Sequence, residues 1–89
     1  GWYGITFSNS NTSNMFDYVE VLHGGKPVAN SFSANIIIDN SPQGSLTISN
    51  SIIGHSGQHG ISIYNDQRDN LTDTNINYVN VPESNVYVW

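Results

Sequence analysis

Apolar and polar residues alternate in a short segment that recurs four times along the chain. Its copies read GITF (4–7), NIII (35–38), GISI (60–63) and NVYV (85–88). The second and fourth positions are always apolar, whereas the third is Thr, Ile, Ser or Tyr. A period of two is typical of a β-strand with one buried face. Each copy therefore predicts a strand whose second and fourth residues point into a core and whose third residue faces solvent or a partner.

A second kind of segment alternates with the first, as FDYVEVLHGG (16–25), ISNSIIGHSG (48–57) and INYVNVPESN (76–85). These copies start 32 and 28 residues apart, a spacing found in solenoid proteins, which stack one repeat on the next. Aligned without gaps, the copies form four columns: Phe16, Ile48 and Ile76; Val21, Ile53 and Val81; Tyr18, Asn50 and Tyr78; His23, His55 and Glu83.

These repeats carry a resemblance to a known group of proteins. The run GWYGITFSNSNTSNMFDYVEVLHGG, followed by SLTISNSIIGHSGQHGISI, resembles the right-handed β-helix repeat region of bacterial surface proteins, in the pectate-lyase-like superfamily. The resemblance implies an all-β fold, a right-handed parallel β-helix (β-solenoid) of about three to four coils without a capping helix. Residues 1–89 would be one such domain, or a fragment of a larger assembly or longer chain. The superfamily includes lyases, hydrolases, adhesins and passive stalks, so the resemblance does not select a function.

The composition narrows the classes of partner. Charged residues make up 10% of the chain, the net charge is −5, and Lys26 and Arg68 are the only Lys or Arg residues. Nucleic acid and anionic membrane surfaces require many cationic contacts, so neither is an expected partner. No apolar run is long enough to insert into a membrane, and the absence of cysteine excludes cysteine-based metal sites. Low charge with abundant Asn, Ser, Thr and Gly is typical of extracellular bacterial β-solenoids, which predicts an extracellular or cell-surface location.

Two groups of polar residues are candidates for a binding site. Polysaccharide lyases of the resembled superfamily use acidic calcium ligands, and the only acid-rich stretch, 64–73, contains Asp66, Asp69 and Asp73. The repeat alignment places this stretch in a turn, where a solvated charged loop is the favoured interpretation. The column of His23, His55 and Glu83 has the ligand types of a zinc or acid–base site, but a structural stack at a coil corner is favoured. No catalytic residue is predicted, and no cofactor is expected apart from this candidate calcium ion.

Several aromatic residues fall outside the predicted core: Trp2, Tyr3, Tyr64, Tyr87 and Trp89. Exposed aromatic rings serve as platforms for sugars and as anchors of protein interfaces. Because Trp2 and Trp89 lie close to the two ends of the sequence, an interface or end-capping role is favoured over a sugar platform.

The favoured functional hypothesis is a non-catalytic extracellular structural or adhesive β-solenoid. Its first and last strands are of the same kind and leave a core open at both ends, which favours self-association end to end into a filament, or coverage by flanking coils of the same protein. The alternative is a carbohydrate-binding or polysaccharide-degrading β-helix module, with polysaccharide as the partner.

Overall fold

A computed structural model describes residues 2–7, 13–26, 33–39 and 45–89 of the chain. These residues form eight strands: β1 (Ile5–Phe7), β2 (Asn14–Asp17), β3 (Glu20–Leu22), β4 (Ala34–Ile38), β5 (Leu46–Gly54), β6 (His59–Ile63), β7 (Leu71–Val79) and β8 (Val86–Val88). One 3₁₀ helix, Asn65–Asn70, precedes β7 and is the only helical element within the described ranges. The prediction of an all-β chain is confirmed.

The strands form two parallel sheets, between which the chain alternates. Sheet A has the order β1-β4-β6-β8. In sheet B, β5 pairs on one side with β2 and β3, one after the other along its length, and on the other side with β7. All these pairings are parallel. Along the chain, each strand of sheet A is thus followed by a strand of sheet B, or by the pair β2 and β3, before the next strand of sheet A.

The register of sheet A is the one that the alternation predicts. Ile36 pairs with Ile5 on one side and Ile61 on the other, and Ile61 pairs with Val86. Ile36 and Ile61 are fully buried, so the second position of the segment faces the core as expected. The third position does not always face outwards into solvent, because Ser62 is fully buried as well. Burying apolar side chains from both sheets between them is the main stabilising contribution to this fold.

The register of sheet B differs by three residues from the predicted alignment in its last strand. Ile48 pairs with Asp73 rather than with Ile76, and Ile53 pairs with Tyr78 rather than with Val81. The gap-free alignment of the third copy, 76–85, is therefore wrong. The first two copies do pair as predicted, since Phe16 lies beside Ile48 and Val21 lies beside Ile53.

Left-handed bends fix this register. Among the residues that the structure describes, six other than glycine have positive φ angles, between 48° and 64°. They form two columns across sheet B: Tyr18, Asn50 and Asn75, and then His23, His55 and Asn80. In each of the three layers of sheet B, the second bend lies five residues after the first along the chain. Asn and His tolerate this backbone conformation better than most residues. Because bends stack on bends, they determine which residues pair, and an alignment based on apolar residues misses them.

A buried asparagine joins the two sheets. The Nδ2 atom of Asn35 donates hydrogen bonds to the carbonyl oxygens of Val21 and Gly54, each at 2.8 Å. Asn35 is fully buried, and these two carbonyls belong to neighbouring strands of sheet B. Gly24 provides the necessary space, because a Cβ atom at that position would lie 2.9 Å from Asn35 Oδ1.

We expect Asn35→Ala to lower the free energy of unfolding by about 1–3 kcal/mol, because two backbone carbonyls lose a buried donor. Denaturant unfolding followed by circular dichroism measures this difference. Asn77→Ala, at an exposed position on β7, is the matched control and is expected to change stability by no more than about 0.5 kcal/mol. Equal stability of the two variants would contradict this role of Asn35.

Candidate functional site

A ladder of polar side chains runs along the first column of bends. Asn75 Nδ2 donates to Asn50 Oδ1 at 2.8 Å, and Asn50 Nδ2 donates to Asp17 Oδ1 at 3.1 Å. The Ser49 hydroxyl donates to the same Asp17 oxygen at 3.0 Å. The sequence alignment placed Tyr78 beside Asn50, which is wrong, because the observed neighbour is Asn75; Tyr18 does lie in this column as aligned. The ladder ends at a carboxylate, which only accepts hydrogen bonds when ionised.

The second column of bends carries the stacked histidines. The rings of His23 and His55 are nearly parallel, with centroids 5.0 Å apart and an interplanar angle of 18°. The third member is Asn80, whose Nδ2 lies 3.2 Å from His55 Nδ1. Glu83, which the sequence alignment placed in this column, lies three residues farther along the chain, where its backbone N–H bonds to the carbonyl of Gln58. The His–His–Glu column is therefore corrected to His–His–Asn.

An open groove of about 370 Å³ lies beside this column, lined by Ser56, Asn80, Val81 and Pro82. Its polar groups are a hydroxyl and an amide, which bind through hydrogen bonds and supply neither a base nor a nucleophile activated by one. The two adjacent histidines stack ring on ring, an arrangement that fits the structural interpretation of a stack at a corner.

The three aspartates of the acid-rich stretch are divided between two elements. Asp66 and Asp69 lie in the 3₁₀ helix and are exposed, whereas Asp73 lies within strand β7. The placement of Asp73 in a turn is therefore wrong. Within the ranges that the structure describes, no group of three or more His, Cys, Asp or Glu residues is arranged to hold a metal ion.

Asp73 instead contacts a tyrosine of its own strand. The Tyr78 hydroxyl donates to Asp73 Oδ2 at 3.4 Å. Partial burial of the ring raises the pKa of Tyr78 well above its usual range, and the adjacent Asp73 carboxylate raises that pKa further through its charge and its hydrogen bond. The ring of Tyr78 also reaches sheet A, since a Cβ atom at Gly60 would lie 3.0 Å from two of its ring carbons. Tyr78 therefore extends from β7 across to β6.

Three of the five candidate aromatic residues pack against other rings. Tyr87 stacks on His59 with centroids 4.3 Å apart, and Tyr64 meets Trp89 edge to face at 5.0 Å. Each of these three rings is therefore packed against another ring on one side.

The remaining two aromatics lie just before β1. Trp2 is 38% exposed, and its Nε1 donates to the carbonyl of Leu22 at 2.9 Å. Tyr3 is 60% exposed, and Lys26 Nζ lies 5.5 Å from the centre of its ring. The structure thus separates the candidate aromatics into a packed group and an exposed pair.

The sequence did contain a signal for the true register of β7. Ser45-Leu46-Thr47 and Asn70-Leu71-Thr72 share the Leu-Thr pair, and each pair is followed three residues later by an asparagine, Asn50 or Asn75. An alignment on this pattern would have placed Asp73 beside Ile48 and Asn80 beside His55.

Comparisons with models of protein families, with curated proteins and with solved structures found no match. The described residues include no helix that is long and apolar enough to cross a membrane.

The Asp73–Tyr78 contact predicts a pH dependence of stability. Because the pKa of Tyr78 is raised on folding, the folded state holds this proton more tightly than the unfolded chain does. The resulting stabilisation is complete below the ordinary tyrosine pKa of 10.0 and is lost as the pH rises towards the pKa of the folded state. Because phenylalanine has no hydroxyl proton, we expect Tyr78→Phe to abolish this part of the pH-dependent loss in the free energy of unfolding. The loss is expected to be up to about 1 kcal/mol at pH 11, after allowing for solvent screening of a half-exposed ring.

Thermal unfolding between pH 8 and 11 tests this prediction. Asp73→Asn serves as a second variant, and it is expected to reduce the loss without abolishing it, because burial of the Tyr78 ring remains. A Tyr78→Phe variant that loses stability above pH 10 as steeply as the wild type would contradict the assignment.

Proposed function

We propose that this chain is a segment of a right-handed parallel β-helix with a non-catalytic structural or adhesive role outside the cell. The alternation between two parallel sheets supports the β-helix. Residues paired in register in sheet A are 31 residues apart for Ile5 and Ile36 and 25 apart for Ile36 and Ile61, so the coils differ in length. Parallel strands of one sheet joined by a crossover are connected in a right-handed sense in about 98% of cases.

The observation that carries the structural role is the gradient of burial along the core. Ile36 and Ile61, in the middle strands of sheet A, are fully buried, whereas Ile5 and Val86 at its two edges are only half-buried. A solenoid buries such edge residues when another repeat is stacked on them. The incompletely covered core therefore supports a role in which the segment joins a further layer of strands.

The polar groups of the described residues support a structural rather than a catalytic role. The Asn50 and Asn75 side chains bond to each other, and the His23 and His55 rings stack, so these groups serve the fold itself. Asp73 lies on β7 and accepts a hydrogen bond from the Tyr78 hydroxyl, whereas Asp66 and Asp69 lie in the 3₁₀ helix. The low charge and the abundance of Asn and Ser support the extracellular location.

Light scattering of the purified chain over a concentration series tests the proposed role. We expect the average mass to rise with concentration above that of one chain, because association buries the half-exposed core residues. A mass that stays at one chain up to millimolar concentration would contradict a role in association.

Calorimetric titration tests the competing polysaccharide function. The structural role predicts no saturable heat when acidic polysaccharides are added, with or without calcium. Saturable heat in that titration would favour a carbohydrate-binding module instead.

A further inference from the structure

Two imidazole rings hold the β7–β8 turn, residues 80–85, against the preceding coil. The backbone N–H of Ser84 donates to His59 Nδ1 at 3.2 Å. At the start of the turn, Asn80 Nδ2 lies 3.2 Å from His55 Nδ1, and an amide nitrogen can only donate. Each ring therefore accepts a hydrogen bond from the turn at Nδ1, which requires an Nδ1 atom that carries no proton.

The two contacts differ in their response to a proton. A protonated imidazole donates from both ring nitrogens and accepts at neither. The side-chain amide of Asn80 can turn over and present its oxygen to a protonated His55. The backbone N–H of Ser84 has no such alternative, because it only donates. Proton uptake at His59 Nδ1 therefore breaks the contact with the turn, whereas proton uptake at His55 leaves a hydrogen bond available.

His59 lies in an environment that fits its neutral form. The residue is 2% exposed, and its ring stacks on that of Tyr87, with centroids 4.3 Å apart and an interplanar angle of 1°. The face of Tyr87 would attract a charged imidazole. Against this attraction, a charge at the buried position loses its hydration, and the protonated Nδ1 would point its N–H at the N–H of Ser84. The observed geometry is that of a neutral ring with its proton on Nε2.

The surroundings of His59 carry few other groups that change charge. Strand β4, which pairs with β6 on one side, contains no charged residue. The carboxylate of Glu83 is exposed within the turn, so water screens its attraction for a charged ring. The titratable groups on the described elements and turns around His59 belong to the following residues: His23, His55, Asp73, Tyr78, Glu83 and Tyr87.

We propose that His59 makes the β7–β8 turn an acid-sensitive switch, in which one proton at Nδ1 releases the turn from β6. The carbonyls of Ser84 and Asn85 accept hydrogen bonds from the N–H groups of Gly60 and Ile61, so release of the turn frees the start of β6. The contribution of the Ser84 contact is present while His59 is neutral and is lost as the pH falls from about 7 to about 5, where histidines gain charge. This inference does not depend on the proposed function.

Amide hydrogen exchange of the wild-type chain, followed by NMR, tests the switch. Protection is measured relative to the intrinsic exchange rate at each pH. Between about pH 7 and about pH 5 we expect the protection of Gly60 and Ile61 to fall by about tenfold. Ile52, which donates to Val19 at 2.9 Å in sheet B, is expected to keep its protection and reports on global unfolding. The ¹⁵N resonances of the His59 ring show its protonation state in the same sample.

Two matched variants locate the titrating ring. His59→Asn places an amide oxygen close to the position of Nδ1, where it accepts from Ser84 but takes up no proton in this range. We expect this variant to lose the pH dependence of protection at Gly60 and Ile61. His55→Asn is the same substitution at the exposed ring and is expected to keep the wild-type pH dependence. Glu83→Gln is expected to keep it as well.

The results that overturn the switch are distinct. A His59 ring that carries its proton on Nδ1 at pH 7 contradicts the geometry on which it depends. A ring that gains a proton while Gly60 and Ile61 stay protected overturns the release of the turn. Loss of the pH dependence in His55→Asn, but not in His59→Asn, overturns the assignment to His59. The wild-type measurements decide the proposal even where His59→Asn does not fold, and none of these results affects the association that light scattering tests.

Discussion

The stacking of left-handed bends in sheet B is the constraint on which the rest of this structure depends. Neighbouring strands lie about 4.8 Å apart, so equivalent backbone conformations have to lie beside each other for the hydrogen bonds between strands to form. A slip by one residue would place the bend at Asn50 or His55 against extended backbone. The bends therefore lock the register, and the amide ladder and the histidine stack follow from it. The spacing between the strands of sheet A then follows from that of sheet B, because each strand of sheet A connects consecutive strands of sheet B.

This constraint explains which parts of the fold could be predicted from the sequence. In sheet A the alternation from Ile36 to Ile38 has no bend within it, so a period of two identifies the buried residues correctly. In sheet B the bend at Asn50 shifts the phase, and Ile48 and Ser51 are both buried although they are three residues apart. An alignment that matches apolar letters therefore placed Ile76 beside Ile48, whereas it pairs with Ser51.

The errors in the candidate site come from the same shift of three residues. The first two copies of the second segment have equal lengths up to the corner, so His23 and His55 fall in one column in the alignment as in the structure. The third copy was misaligned, which placed Glu83 in the position of Asn80 and assigned Asp73 to a turn. The contact between Asp73 and Tyr78 could not be inferred from that alignment, because it requires both residues to lie on the inward side of one strand.

Asp73 is the residue at which the sequence departs most clearly from its own repeat. An apolar residue occupies the equivalent position in the two preceding strands, as Phe16 and Ile48. A carboxylate is tolerated at this position only where one side of the strand remains in water, since the same charge between two layers would lose its hydration. Residues that do not fit the local pattern of the fold occur at functional positions more often than elsewhere. The departure at Asp73 therefore distinguishes β7 from β2 and β5, whose residues at the equivalent position are apolar.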